Sequence, residues 1–208
     1  MGTSVETGAA EGGPYEQWAR RSEPPDNEVP VAVPVTAVLG RGEGVAVVLA
    51  GMSAATTGFG LTIGVRLRQL PVDDDVYRQM SASGPVEGHL LVGLEDADGR
   101  RVSTVQHDGW PPQVGDTTLT MTGRGGGGGG RAFDQDYWVA PLPAEGPLRV
   151  VVRWDAQGVP ERVTEVDGAA VAAAGRGAVV LWPWEPAVEP DHEEDRTWRP
   201  AEGWFSQP

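Results

Sequence analysis

"GFGLTIGVRLR", residues 58–68, decides the fold class. Phe59, Leu61, Ile63, Val65 and Leu67 take alternate positions, with Gly60, Thr62, Gly64, Arg66 and Arg68 between them. Successive side chains of a strand point to opposite faces, so this alternation describes a half-buried strand with its apolar face on a core. Outward from it the pattern repeats. "GVAVVLAGM" (44–52) and "HLLVGLED" (89–96) read as strands. In "EDADGRRVSTV" (95–105), Asp98-Gly99 supplies a hairpin turn and Arg101 to Val105 return. "TLTMT" (118–122) alternates again, with Leu119 and Met121 inward. "DYWVA" (136–140) and "LRVVVRW" (148–154) read as a pair joined by the rigid Pro141-Leu142-Pro143 turn, with Leu148, Val150, Val152 and Trp154 sharing a face. The clearest helix is "VDGAAVAAAG" (166–175), with Asp167 as N-cap, alanines as strong helix formers and Gly175 as a stop. "AVVLW" (178–182) closes the series as a final strand. On these strands Trp154 and Trp182 are expected to be core or half-buried. Short strands with frequent turns and little helix argue for an all-β fold, a sandwich of two antiparallel sheets, with a closed barrel as the alternative.

The ends of the chain read differently. Residues 1–30 are Gly, Glu, Ser and Pro with few large apolar groups, too few to offset the entropy of ordering, and we expect a disordered arm. Residues 31–184 form the sandwich domain, and 185–208 an acidic, proline-spaced, disordered tail that carries Trp198, Trp204 and Phe205. Residues 71–88 read as a long internal loop in which "DDDVYRQM" makes one helical turn.

A chain of 208 residues allows one domain plus tails. A folded part of about 150 residues buries roughly two-thirds of its unfolded surface, so no metal or disulfide is required for stability. With no cysteine, disulfide frameworks, thiolate zinc sites and cysteine nucleophiles drop out together. A net charge of -14 repels phosphate backbones and argues against a nucleic-acid partner. All 16 basic residues are arginine, which beside abundant Gly, Ala, Val and Pro reflects a GC-rich coding genome rather than a function. The amino terminus has neither a basic start nor an apolar run, and no stretch reaches the length of a membrane span. A cytoplasmic protein is the expectation.

Together, "GFGLTIGVRLR", the glycine run followed by "DYWVAPLPAEGPLRVVVRW", then "VDGAAV" and a closing "VVLW" resemble a group of uncharacterised actinobacterial proteins, over about residues 31–184. The resemblance implies an immunoglobulin-like sandwich without the cysteine pair. It implies no activity and carries over no catalytic residue.

Six glycines, Gly125 to Gly130, lie between Arg124 and Arg131. A phosphate cradle needs backbone amides converging at a helix start, and in the P-loop a lysine as well. Here "RAFDQDYWV" follows with a strand pattern, and the chain has no lysine. We read the run as a flexible connector between two strands, with Arg124 and Arg131 placed to pair with Asp134 or Asp136.

The acidic groups Asp73 to Asp75, Glu95 with Asp96 and Asp98, and Asp134 with Asp136 lack the spacing of a calcium loop, so neither a metal site nor a cofactor is expected. "GMSAA" around Ser53 departs from the nucleophile elbow, and His89, His107 and His192 form no recognisable triad. No catalytic residue is assigned. Trp110 and Trp138 are candidates for stacking on a sugar or another small ligand, and Trp198, Trp204 and Phe205 for anchoring a protein partner. The expectation is a non-enzymatic interaction or scaffold protein. A small-ligand or carbohydrate-binding sandwich is one alternative. A hydrolase with paired carboxylates, drawn from Asp134, Asp136, Glu95 and Asp98, is the other.

Overall fold

The computed structural model of the chain describes residues 21–71, 75–81, 88–105 and 117–185. In order they form β1 (Glu28–Val29), β2 (Val31–Val33), β3 (Ala37–Gly42), β4 (Val45–Ala55), β5 (Gly58–Leu67), α1 (Asp75–Ser81), β6 (Leu91–Glu95) and β7 (Arg101–Ser103). There follow β8 (Thr120–Gly129), β9 (Ala132–Ala140), β10 (Pro147–Trp154), β11 (Val159–Asp167), α2 (Gly168–Arg176) and β12 (Val179–Val180). The fold is all-β. A six-stranded sheet runs β2-β4-β5-β9-β8, with β3 also paired to β4, and a four-stranded sheet runs β11-β10-β6-β7. Every pairing is antiparallel.

The alternation of β5 decides which face is inside. Phe59, Leu61, Ile63 and Val65 are buried, and β10 answers with Leu148, Val150, Val152 and Trp154, also buried. These two rows belong to one continuous core, joined by Val47 and Leu49 of β4, Val92 and Leu94 of β6 and Leu39 of β3. The two sheets therefore bury their inner faces on one shared core. The indole N–H of Trp154 donates to the Gly88 carbonyl at 3.0 Å and to Gln79 Oε1 at 3.1 Å. α1 is thus clipped over one end of the core, where Met80 is buried. It is a seven-residue helix, longer than the single turn expected.

Several expectations are corrected. β9 and β10 are not partners: β9 lies between β5 and β8, and β10 between β6 and β11. The apolar faces of both strands are needed, one on each side of the core, and the proline turn carries the chain from one sheet to the other. The glycine run is not slack. Gly125 to Gly129 belong to β8 and pair in register with β9, from Gly125↔Asp136 to Gly129↔Ala132. Gly175 does not stop α2, which continues to Arg176. It sits with Gly168, Val171 and Ala172 on the buried stripe, where a Cβ would meet Leu142 Cδ1 at 2.6 Å and the Ala55 carbonyl at 2.8 Å. Asp167 caps α2 as expected, accepting from Ala169 N at 3.0 Å and Ala170 N at 3.2 Å. Residues 21–30, assigned to the arm, are held on the domain: Ser22 and Asn27 are buried, and β1 pairs with β12.

Candidate interaction surfaces

The segment after α2 leaves the sandwich. Instead of joining a main sheet, Val179 and Val180 pair with Val29 and Glu28 in a separate two-stranded ribbon. Asn27 extends this pairing: its carbonyl accepts from Leu181 N at 2.9 Å and its Nδ2 donates to the Trp182 carbonyl at 2.8 Å. The Asn27 side chain thereby acts as one more rung of the ladder. Its Oδ1 is buried with no partner. Among the described residues no further strand pairs with this ribbon, and its consecutive Val179 and Val180 are both exposed. Of the nine large apolar side chains left well exposed among the described residues, five lie here: Val29, Val179, Val180, Leu181 and Trp182. Trp182, expected in or beside the core, is 57% exposed. Apolar groups gathered in this way on a surface mark an interaction site more often than isolated ones do.

A second surface lies along β8. Its far edge pairs with no other strand among the described residues. Gly126 and Gly128 press on β9: a Cβ at Gly126 would meet the Asp134 carbonyl at 2.6 Å, and one at Gly128 the Ala132 carbonyl at 2.3 Å. Gly127 and Gly129 face open space. The neighbouring charges pair otherwise than expected. Asp134 is bonded to Arg66 at 2.6 Å, Asp136 accepts from Thr62 Oγ1 at 2.6 Å, and Arg124 pairs with Glu23 at 3.1 Å.

Trp138 does not present a stacking face. It lies opposite Gly60 on β5 and is buried, its indole N–H donating to the Arg21 carbonyl at 3.0 Å. The residues leading into β1 therefore cover it, and the expected ligand platform is closed at this position. Trp110, Trp198, Trp204 and Phe205 lie outside the described residues, as do His107 and His192.

Three of the four candidate carboxylates, Glu95, Asp134 and Asp136, are engaged in pairings with other side chains. Glu95 bonds Arg149 at 2.5 Å and also Arg101, and these two guanidinium groups hold its carboxyl below the usual carboxylate range. A group so held is poorly suited to deliver a proton as a general acid. Asp96 is fully buried and does structural work. Its Oδ1 accepts from Asp98 N at 3.1 Å and Arg100 N at 3.0 Å, closing the β6–β7 turn. Its Oδ2 accepts from Ala144 N at 3.2 Å and pairs with Arg100 Nη2 at 2.5 Å. Arg100 in turn donates to the carbonyls of Leu142 and Thr117, each at 3.2 Å. One ion pair thus ties the hairpin to the turn between β9 and β10. Burial pushes the Asp96 carboxyl up, but the bonds from Arg100, Ala144 N and Arg100 N outweigh it and leave the group below its ordinary range.

An open cleft of about 290 Å³ lies elsewhere, lined by Glu43, Leu67, Arg68, Gln69, Val76 and Gln157, among others, with none of the four carboxylates proposed for a hydrolase. Ser53 lies on β4, paired with Gly60 and Ala32, not on a strand-to-helix elbow. His89 has its Nδ1 buried without a partner. Among the described residues no three His, Asp or Glu side chains gather in a way that could hold a metal ion, and no helix is long and apolar enough to cross a membrane.

Sequence reasoning missed the ribbon. "AVVLW" has the composition of a core strand, and nothing local shows that its partner is Glu28–Val29, about 150 residues earlier in the chain. No family model matches the chain, and no curated protein matches it. Among solved structures, the crystal structure of a conserved domain protein from Bacillus anthracis is similar at 11% identity and a TM-score of 0.31, over 71% of this chain and 49% of that one. This chain thus spans about half the length of that protein, and so slight a likeness bears on neither fold nor function.

Proposed function

We propose that the protein is a non-enzymatic interaction or scaffold protein, anchored to a protein partner by apolar side chains at the carboxyl end of its domain. The observation that carries this reading is the exposed ribbon of Val29 and Val179 to Trp182. It stands at the root of the segment that bears Trp198, Trp204 and Phe205, which we assign as further anchors. Buried tryptophan is among the strongest contributors to protein–protein binding, and acidic chain around it suits a basic partner surface. The immunoglobulin-like character and actinobacterial kinship suggested by the resemblance belong to the same proposal, supported by two facing antiparallel sheets, as does a cytoplasmic setting.

Affinity capture from the host with three full-length baits tests it: the native chain, Val180→Asp/Trp182→Ala, and Trp198→Ala/Trp204→Ala/Phe205→Ala. A partner held by the native chain and lost by either variant supports the reading. A partner held equally by all three places recognition elsewhere on the domain and overturns it.

A further inference from the structure

The outward face of the four-stranded sheet carries two ordered rows. Cross-strand pairing lines up Glu165, Arg149, Glu95 and Arg101 across β11, β10, β6 and β7. Ion pairs run the length of this row: Arg149 bonds Glu165 at 3.1 Å and Glu95 at 2.5 Å, and Arg101 bonds Glu95 from the other side. The row alternates in sign and sums to zero, on a chain whose net charge is -14. Copies of so acidic a chain repel one another, and a locally neutral row is where that repulsion is weakest. The next row is Val163, Val151, Gly93 and Ser103, with Val163 55% exposed. Gly93 is not required by its own fold. Pairing through it is regular, its φ is not positive, and an added Cβ would meet Ser103 Cβ at 3.6 Å and Val151 Cβ at 3.8 Å, both ordinary contacts. Glycine weakens a strand, and where neither bulge nor turn calls for it, it is a usual sign of close approach from outside.

An alternating row of even length is its own complement when reversed. Take a two-fold axis parallel to the strands and midway between β10 and β6. It sets Glu165 of one copy against Arg101 of the other, and Arg149 against Glu95. The same rotation sets Val151 over the hollow at Gly93. We propose that this face is a two-fold contact between copies of the chain, recognised by the charged row and by the seating of Val151 on Gly93. Such a contact is isologous and closes at two copies. A face four short strands wide belongs with the smallest interfaces, below about 1,200 Å² in total, so the dimer is weak and forms at high concentration. None of its residues belongs to the ribbon, so its failure would leave the proposed function untouched.

Sedimentation of the full chain tests it, from about 10 µM to 1 mM protein. Salt of about 0.15 M mutes the overall repulsion and leaves contacting pairs in force. The native chain is expected to approach the mass of a dimer; a monomer throughout overturns the proposal. Arg101→Glu and Glu165→Arg change the ends of the row, where breaking an exposed ion pair costs the fold little. Each sets like charges against each other twice in its own dimer and is expected to weaken association about tenfold or more. For Glu165→Arg that is the opposite of what its reduced negative charge alone would do. Mixed one to one, the two variants face each other with opposite charges throughout, and association is expected to return to near the native level. A mixture that stays monomeric overturns the two-fold register. Gly93→Ala is expected to melt no lower than the native protein, because alanine has room there, and to associate at least about threefold more weakly. Native association in Gly93→Ala would remove the seat of Val151 and overturn the register equally.

Discussion

β5 and β8 flank the same strand, β9, and are held to it in opposite ways. β5 pairs along one side, Phe59↔Val139, Leu61↔Tyr137 and Val65↔Phe133, with large apolar side chains on the core face of both strands. β8 pairs along the other side with almost no side chains in its second half. Burial of apolar area holds β5 in place. The glycine part of β8 is held by its hydrogen-bond ladder and by an approach to β9 so close that a Cβ would collide with it. Two strands of one sheet can therefore look unrelated in sequence, because one meets the core and the other meets only backbone.

The comparison breaks most severely at Phe59, which is completely buried. Phe59→Ala removes most of an aromatic side chain from between β4 and β9 and is expected to cost about 3–5 kcal/mol. Chemical denaturation measures this directly. A loss under about 1 kcal/mol would show that the β5 face is not the centre of the core.

Asp96 comes next, because its pair with Arg100 fixes the turn that hands the chain from β9 to β10. Asp96→Ala leaves Arg100 partly buried without its counter-ion, at a cost of about 3 kcal/mol. The pH dependence has a definite sign. The folded carboxyl titrates below its ordinary value of 3.8, so its stabilising contribution is present above that value and is lost as pH falls through the lower, folded one. Melting temperatures of the native protein and of Asp96→Asn, followed from neutral pH down to pH near 3, are expected to converge as the solution is acidified. A constant gap across that range would mean that Asp96 titrates no differently in the folded and unfolded chain.

What the sequence made legible follows the same division. Strands whose side chains meet the core showed their period: β4, β5, β6 and β10, with Trp154 at the end of its row. The cap Asp167 and the turn at Asp98-Gly99 were legible for a related reason, since each is a local bargain between a side chain and nearby backbone. Partnerships across the chain were not. "DYWVA" and "LRVVVRW" lie beside one another in sequence and each carries an apolar face, but those faces belong to opposite sides of the core. β11 escaped notice because "ERVTE" is largely exposed and shows no alternation of burial to read. Trp138 looked like a platform because its cover, around Arg21, comes from residues that looked too polar to fold. The interaction surfaces were the least legible part, since exposure of Val179 to Trp182 depends on what does not pack over them.

The glycine strand allows the finest test, because its effects alternate residue by residue. If the run were slack, alanine at any of its positions would be tolerated alike. Contact with β9 gives a different pattern. Gly128 has a φ of 148° and a Cβ there would press on the Ala132 carbonyl, so Gly128→Ala strains the backbone and forces the strands apart. Gly126→Ala meets the Asp134 carbonyl in the same way. Each is expected to cost about 1–3 kcal/mol, the range for overpacking. Gly127 and Gly129 have open space and no positive φ, so alanine there is expected to lie within about 0.5 kcal/mol of the native chain. A small gain is the expected direction, because alanine leaves the unfolded chain fewer conformations than glycine does. Four single variants, compared by denaturant midpoint, separate the two accounts. Uniform tolerance would return the run to a connector, and uniform damage would mean that its open side is covered. Alternation would show that the run lies against β9 at every second residue and open to solvent between.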